Sequence, residues 1–546
     1  MHRPIPNRMT TGSSRSAITA RSALTGLFCA AIVGAGCAAE TASSEDDLTS
    51  ASGAEKRVTW QSFVYVPTAS TDSVIQKAIQ KQIKSAIGAF RGPEIGIQDR
   101  DALTTIDAKL WIREDVEVVD KTLPAVKTTL TRVRYTYTDT AIVRKKNTAL
   151  EQQIPLLFGD YVGKVAALKP ACSDDQKTAA DSLWYHYTPQ QAACKTMISK
   201  ETSTINTAAK GLNPTKQISK LDSERNFVMV RAKFTAVKAP PTKYPEYDKL
   251  WGFGTDRQLL VAYAFFGVDA DIADPNDVSA VEHFRFLRTL LMKYPTLAVT
   301  KTEPFALLLD FDIAGSKYVA SYLEVCNWVV DNSGFPKVAN SLDLQNSLRK
   351  QALQHWAERW VYWELPVTIT INKQPRNITI QLRSYWGHED GTPQARQAAT
   401  NRYLEAFWHG DIFMYQGHSH FGHGPLEPVN FATKNFPDRY QVMLVNSCLS
   451  FNYYDVDFLK MHPGTSTKLD IVVNGLPAFW TKMGEASANM LIGLTDGTGK
   501  SWVNVLAAMV VKPSWAPNGY DPLRAVNGEL DNVFDASKAA MSLVIR

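Results

Sequence analysis

Two apolar runs near the C-terminus each end in a side chain able to do chemistry. Asp411-Ile-Phe-Met-Tyr-Gln-Gly-His418-Ser-His420-Phe-Gly-His423 ends in imidazoles, and Tyr440-Gln-Val-Met-Leu-Val-Asn-Ser-Cys448, with its thiol thirty positions after His418, ends in a potential nucleophile. Each run is too short for a helix and is bounded by Gly or Asp, the pattern of a parallel strand covered on both faces. Active sites collect at the carboxyl ends of such strands. If these two are neighbours, an imidazole and a thiol meet at one edge of a sheet, the arrangement that activates a cysteine. The same residues carry a rival chemistry. His418, His420 and His423 fall within six positions, a donor set suited to zinc.

The elements that must position these residues read as α/β. From Arg376 onward the order is strand, helix, strand, strand, strand, helix, helix: Ile378 to Leu382, then about Pro393 to Trp408, Ile412 to Tyr415, the Cys448 strand, Leu469 to Asn474, Gly484 to Ile492 and Trp502 to Val511. Pro393 suits a first helical turn. Upstream, Thr71-Asp72 opens a helix in which Ile75, Ile79, Ile83 and Ile87 make one apolar stripe, read as core packing. Lys127 to Val143 and Asn226 to Val237 alternate as strands do, and Ala239-Pro-Pro-Thr-Lys-Tyr-Pro reads as a linker. Leu259 to Phe266 and Phe305 to Leu309 are expected as buried segments, Leu342 to Tyr362 as helical, and Val367 to Asn372 with Asn377 to Arg383 as a hairpin across Lys-Gln-Pro-Arg.

Length and composition set the frame. A chain of 546 residues, 45% hydrophobic and 10% aromatic, exceeds one core and is globular for most of its length. The boundaries expected are 1–37, an export leader; 38–57, a polar tether; 58–240, an N-terminal α+β domain; 241–365, a middle mixed region; and 366–546, the domain of His418 and Cys448. The net charge of +5 includes Arg3, Arg8, Arg15 and Arg21, all before Cys37, and without them about +1 remains. That balance gives no electrostatic ground for a nucleic-acid partner.

Those arginines, the apolar run from Ala23 to Val33, and Gly34-Ala-Gly-Cys37 have the layout of a secretory signal. The stretch around Cys37 resembles a bacterial lipobox, which implies lipidation of Cys37 and a place in the bacterial cell envelope, at the outer membrane or in the periplasm. Export makes disulfides expected, and Cys172 and Cys194, 22 positions apart, are the expected pair. Cys326 reads as a buried apolar thiol, leaving Cys448 unpaired.

At Tyr-Gln-Gly-His418 and Asn-Ser-Cys448 the chain resembles the caspase, legumain and gingipain group of cysteine peptidases, and most of all its bacterial gingipain-like branch. The resemblance covers about the last third of the chain. It implies a caspase-like layered domain with a mainly parallel sheet, an endopeptidase acting on protein or peptide substrates without a cofactor, and a dyad of Cys448 with His418. It also implies an oxyanion held by the backbone amides of Ser419 and Cys448. Ser419 stands where the group has glycine, and His423-Gly424 restores the dipeptide, which makes His423 the alternative base. Trp480 is read as a core tryptophan or as a pocket wall. Two other functions are weighed. The triplet His418, His420, His423 is similar to the metallo-β-lactamase string, with Gly422 at its aspartate position, and would make a zinc hydrolase. A non-catalytic binding or scaffold protein of the cell envelope is the other. The acidic run Asp269, Asp271, Asp274 and Asp277 is read as a solvated turn, and His186 and His388 as structural.

Overall fold

Four buried runs, alternating in side-chain direction but apolar on both faces, build the centre of the molecule. In the computed structural model, which describes residues 48–546 apart from 100–105, 124–127, 270, 273, 275, 303–308, 314–315 and 332–341, they lie side by side. The order is Leu469–Asn474, Gln441–Asn446, Ile412–Gln416, Leu259–Gly267 and then Gln374–Gly387, every neighbour parallel. Antiparallel strands finish both sides: Arg524–Asn527 and Thr49–Ser50 on one, Val361–Ile371 with Ala298–Thr302 and Met541–Ile545 on the other. The ten-stranded result is a mixed sheet with a parallel heart. Both faces are covered, as buried parallel strands require. Ile412 and Met414 pack toward the helices Val278–Lys293 and Met483–Thr495, while Phe413 and Tyr415 face the helix Pro393–His409.

A second sheet of seven strands runs Glu151–Leu157, Phe227–Ala236, Gly53–Pro67, Thr128–Arg144, Ile112–Val119, Gln217–Ser219, with Ile95–Ile97 also on Thr128–Arg144. The expected isoleucine stripe lies on its helix Asp72–Arg91, and Ile75, Ile79, Ile83 and Ile87 are all buried. One hydrophobic cluster holds side chains of both sheets, from Trp60 and Tyr137 to Phe413 and Val445.

Three expectations change. The tether 38–57 is in part ordered strand, since Thr49 pairs with Val526 and a long strand starts at Gly53. The 241–365 region is no separate body. Its strand Leu259–Gly267 sits between those of His418 and the Val361–Ile371 hairpin, and that hairpin crosses the expected boundary. The hairpin turns at Asn372 and Lys373, both with positive φ (52° and 65°), and Pro375 is already paired with Thr370. A two-residue loop with both residues left-handed matches the twist of the flanking strands, and Asn tolerates that conformation. The leader 1–37, with Cys37, and residues 303–308 of the Phe305 segment lie outside the described residues.

Candidate active site

Strand register brings three chemical side chains to one sheet edge. Gln416 pairs with Phe266 on one side and with Asn446 on the other, so Asp269, His418 and Cys448 leave three adjacent strands at their carboxyl ends. His418 Nε2 lies 3.1 Å from Asp269 Oδ1. This hydrogen bond is the main reason that the imidazole is held above its ordinary value, so it keeps a proton longer. The ring is 52% exposed and stands edge-on to Trp480, with centroids 5.5 Å apart.

Cys448 is partly buried, just before Leu449, whose left-handed backbone (φ 53°) turns the chain sharply into the helix Ser450–Tyr453. A leucine holds that conformation only where its surroundings fix it, and such strain gathers at functional sites. The thiol donates to the Ala478 carbonyl at 3.4 Å. Burial pushes it above the ordinary thiol value. Among the described residues no hydrogen bond joins it to His418, so the resting pair is a neutral thiol beside an imidazole that faces Asp269.

Glycines let the strand ends approach. A Cβ on Gly267 would stand 2.5 Å from the Glu389 carboxyl, and one on Gly417 would meet Tyr415 Oη at 2.5 Å and Glu389 Oε2 at 3.1 Å. Glu389 itself is buried, 2.7 Å from the Tyr403 hydroxyl and 2.8 Å from that of Tyr415. Burial raises its carboxyl to about 7. The Tyr415 hydroxyl also lies 2.7 Å from the His418 carbonyl, which ties the base to this carboxyl through one side chain.

After His418 the loop explains the serine. Ser419 has ordinary right-handed angles (φ −73°, ψ −14°), so a side chain is accommodated there. The left-handed positions follow at His420, Phe421 and Gly422, with φ of 47°, 53° and 81°. His420 turns to Asp390 at 3.6 Å and His423 to Glu427 at 3.1 Å, while His418 faces Asp269. Three imidazoles thus meet three separate carboxylates, and among the described residues no group of three ligands is assembled for a metal. The backbone amides of Ser419 and Cys448 donate to no acceptor among the described residues.

The comparisons leave the site to speak for itself. No family model, no curated protein and no solved structure matches the chain.

The expected disulfide is present, with Cys172 and Cys194 bonded, and Cys326 is a buried free thiol. His186 and His388 are paired with Asp174 and Glu358. Trp480 is partly buried against His418, not in the core. Sequence reasoning missed Asp269 and Glu389. Asp269 is no solvated turn residue. Its signal was present, because Phe266-Gly267-Val268-Asp269 repeats the pattern of Gln416-Gly417-His418: a buried run, a glycine, then a titratable group. Asp277 of the same acidic run caps the helix Val278–Lys293 through the Ala280 amide.

Proposed function

We propose that the chain is an exported cysteine endopeptidase, lipid-anchored at Cys37 in a bacterial cell envelope, with a caspase-like or gingipain-like catalytic region. The observation that carries this reading is the placing of Asp269, His418 and Cys448 at the ends of three adjacent parallel strands.

With Nε2 committed to Asp269, Nδ1 of His418 is the nitrogen left to take a proton. A turn of the Cys448 side chain away from the Ala478 carbonyl presents S–H to Nδ1. The sulfur attacks a peptide carbonyl as that proton moves to the imidazole, and Asp269 stabilises the imidazolium. The Ser419 and Cys448 amides receive the oxyanion. Nδ1–H then protonates the departing amine, and water, activated by the same imidazole, releases the acyl group from sulfur. A neutral resting pair makes His418 a general base, so activity rises as His418 loses its proton.

The test is hydrolysis of a fluorogenic peptide library by the mature chain, by Cys448→Ala and by His418→Ala. Cleavage lost in both variants supports the reading, and cleavage retained in Cys448→Ala overturns it. A non-catalytic envelope protein is the second reading, favoured by the bond to the Ala478 carbonyl that engages the thiol in place of His418. It predicts no cleavage by any of the three.

A further inference from the structure

Two buried tyrosines hold the chain where it leaves the His418 strand. The Tyr415 hydroxyl lies 2.7 Å from the His418 carbonyl, and that of Tyr454 lies 2.7 Å from the Ser419 carbonyl, so two consecutive peptide units are each held at the oxygen. A trans peptide unit is planar, and its C=O and N–H point opposite ways. Anchoring the His418 carbonyl therefore aims the other end of the same unit, the Ser419 N–H, which donates to no acceptor among the described residues. The Tyr415 hydroxyl also lies 2.8 Å from Glu389 Oε2, while Glu389 Oε1 accepts from the Tyr403 hydroxyl at 2.7 Å. A phenol has one proton to give, and a carbonyl can only accept. With the Tyr415 proton on the His418 carbonyl, the contact to Oε2 is a hydrogen bond only if Glu389 carries a proton there and donates it to the phenol oxygen. All three contacts are then satisfied. An ionised Glu389 has nothing to donate. Its Oε2 and the His418 carbonyl then compete for one phenol proton, and the charged acceptor makes the stronger bond.

We propose that Tyr415 is a positioning residue for the oxyanion, its hydroxyl holding the His418–Ser419 peptide so that the Ser419 N–H faces the carbonyl under attack, and that the proton on Glu389 keeps it there. The inference rests on the cysteine-peptidase reading. The hydroxyl also polarises the peptide unit that it holds, which makes the Ser419 N–H a better donor. Release of the Glu389 proton turns the Tyr415 hydroxyl to the carboxylate, and the His418 carbonyl loses its donor. The surroundings favour the proton. Burial acts most strongly for it and the charge of Asp390 adds to it, while the Tyr403 and Tyr415 hydroxyls and the charge of His418 favour the ionised form. Tyr385, with the Arg402 guanidinium 4.2 Å over its ring, faces the carboxyl from the strand Gln374–Gly387.

The experiment is kcat for the fluorogenic peptide that the full mature chain cleaves fastest, from about pH 6 to 9, in wild type, Tyr415→Phe and Glu389→Gln, with iodoacetamide labelling of Cys448 measured beside it. Tyr415→Phe should lower kcat about ten-fold at about pH 6 with KM little changed, short of the roughly 10²–10³-fold that loss of an oxyanion donor costs. Alkylation of the sulfur forms no oxyanion, so that variant should label at close to the wild-type rate. Equal falls in hydrolysis and labelling would mean a general loosening of the site and overturn the proposal. The Glu389→Gln amide keeps a donor to Tyr415 at every pH. Its kcat relative to wild type should climb about ten-fold as the wild-type carboxyl ionises, and stay high at about pH 9, where an effect passing only through the charge of His418 has vanished. A ratio that does not change with pH overturns the proposal, and this comparison decides alone should Tyr415→Phe not fold. Wild type cleaving through Cys448, with Tyr415→Phe at the same kcat, overturns the proposal and leaves the peptidase reading standing. A wild type that cleaves nothing overturns both.

Discussion

His418 and Asp269 face one another across two neighbouring parallel strands, Nε2 to Oδ1 at 3.1 Å. The contact fixes which imidazole nitrogen is engaged and which is left for Cys448. It also raises the imidazole's affinity for a proton.

Asp269→Asn removes that charge and returns the His418 titration toward the ordinary imidazole value of 6.5. The raised value means that the protonated ring stabilises the fold. That contribution is complete below the unfolded-state value and is lost as pH rises through the folded-state one. An NMR titration of the His418 ring protons checks the shift, and the variant's activity profile should move toward acid with it.

Glu389 gives a second pH signature. Its carboxyl rises from 4.5 to about 7 in the fold, so the native state holds a proton that the unfolded chain has released. Stability from this group therefore falls as pH rises from about 4.5 through 7, by about 3 kcal/mol in all. Glu389→Gln mimics the protonated carboxyl and should flatten that part of the curve. Asp139 and Asp470, also raised to about 7, contribute over the same range in both proteins, so the difference between urea denaturation curves of the two is the measurement.

Gly417→Ala places a methyl group 2.5 Å from Tyr415 Oη. Overpacking of this kind destabilises by about 1–3 kcal/mol. Because His418 follows directly, activity should fall further than the loss of folded protein explains. Thermal melting and hydrolysis measured on the same sample separate the two effects.

Cys172→Ser, which opens a loop with 22 residues of sequence separation, should cost about 3 kcal/mol. Thermal melting of the variant beside the wild type is the measurement.

Much of the local structure was legible in the sequence, because local structure has local causes. The isoleucine period set the helix Asp72–Arg91, and runs with both faces apolar gave the strands ending near His418 and Cys448. The cysteine spacing, in a chain read as exported, led to the expectation of the Cys172–Cys194 bond. What was missed depends on strand order. Asp269 precedes His418 by 149 positions, so no window contains it with its partner. The hairpin turn was misplaced because Pro375 was read as a turn residue, whereas it sits in a strand and the left-handed pair lies just before it. Trp480 was read as a core tryptophan or as a pocket wall, and residue type could not choose between them; the chain leaves the sheet at Asn474 and carries it to the His418 ring.

The most direct test of the account is the pH profile of iodoacetamide labelling at Cys448 in wild type and in His418→Ala. The account predicts that wild-type labelling climbs with the deprotonation of His418, well below the thiol's own raised value. In His418→Ala the climb moves beyond the ordinary thiol value of 9.0, and labelling at neutral pH falls by about 10²-fold. Identical profiles in the two proteins would mean that His418 does not act on Cys448, and would contradict the account.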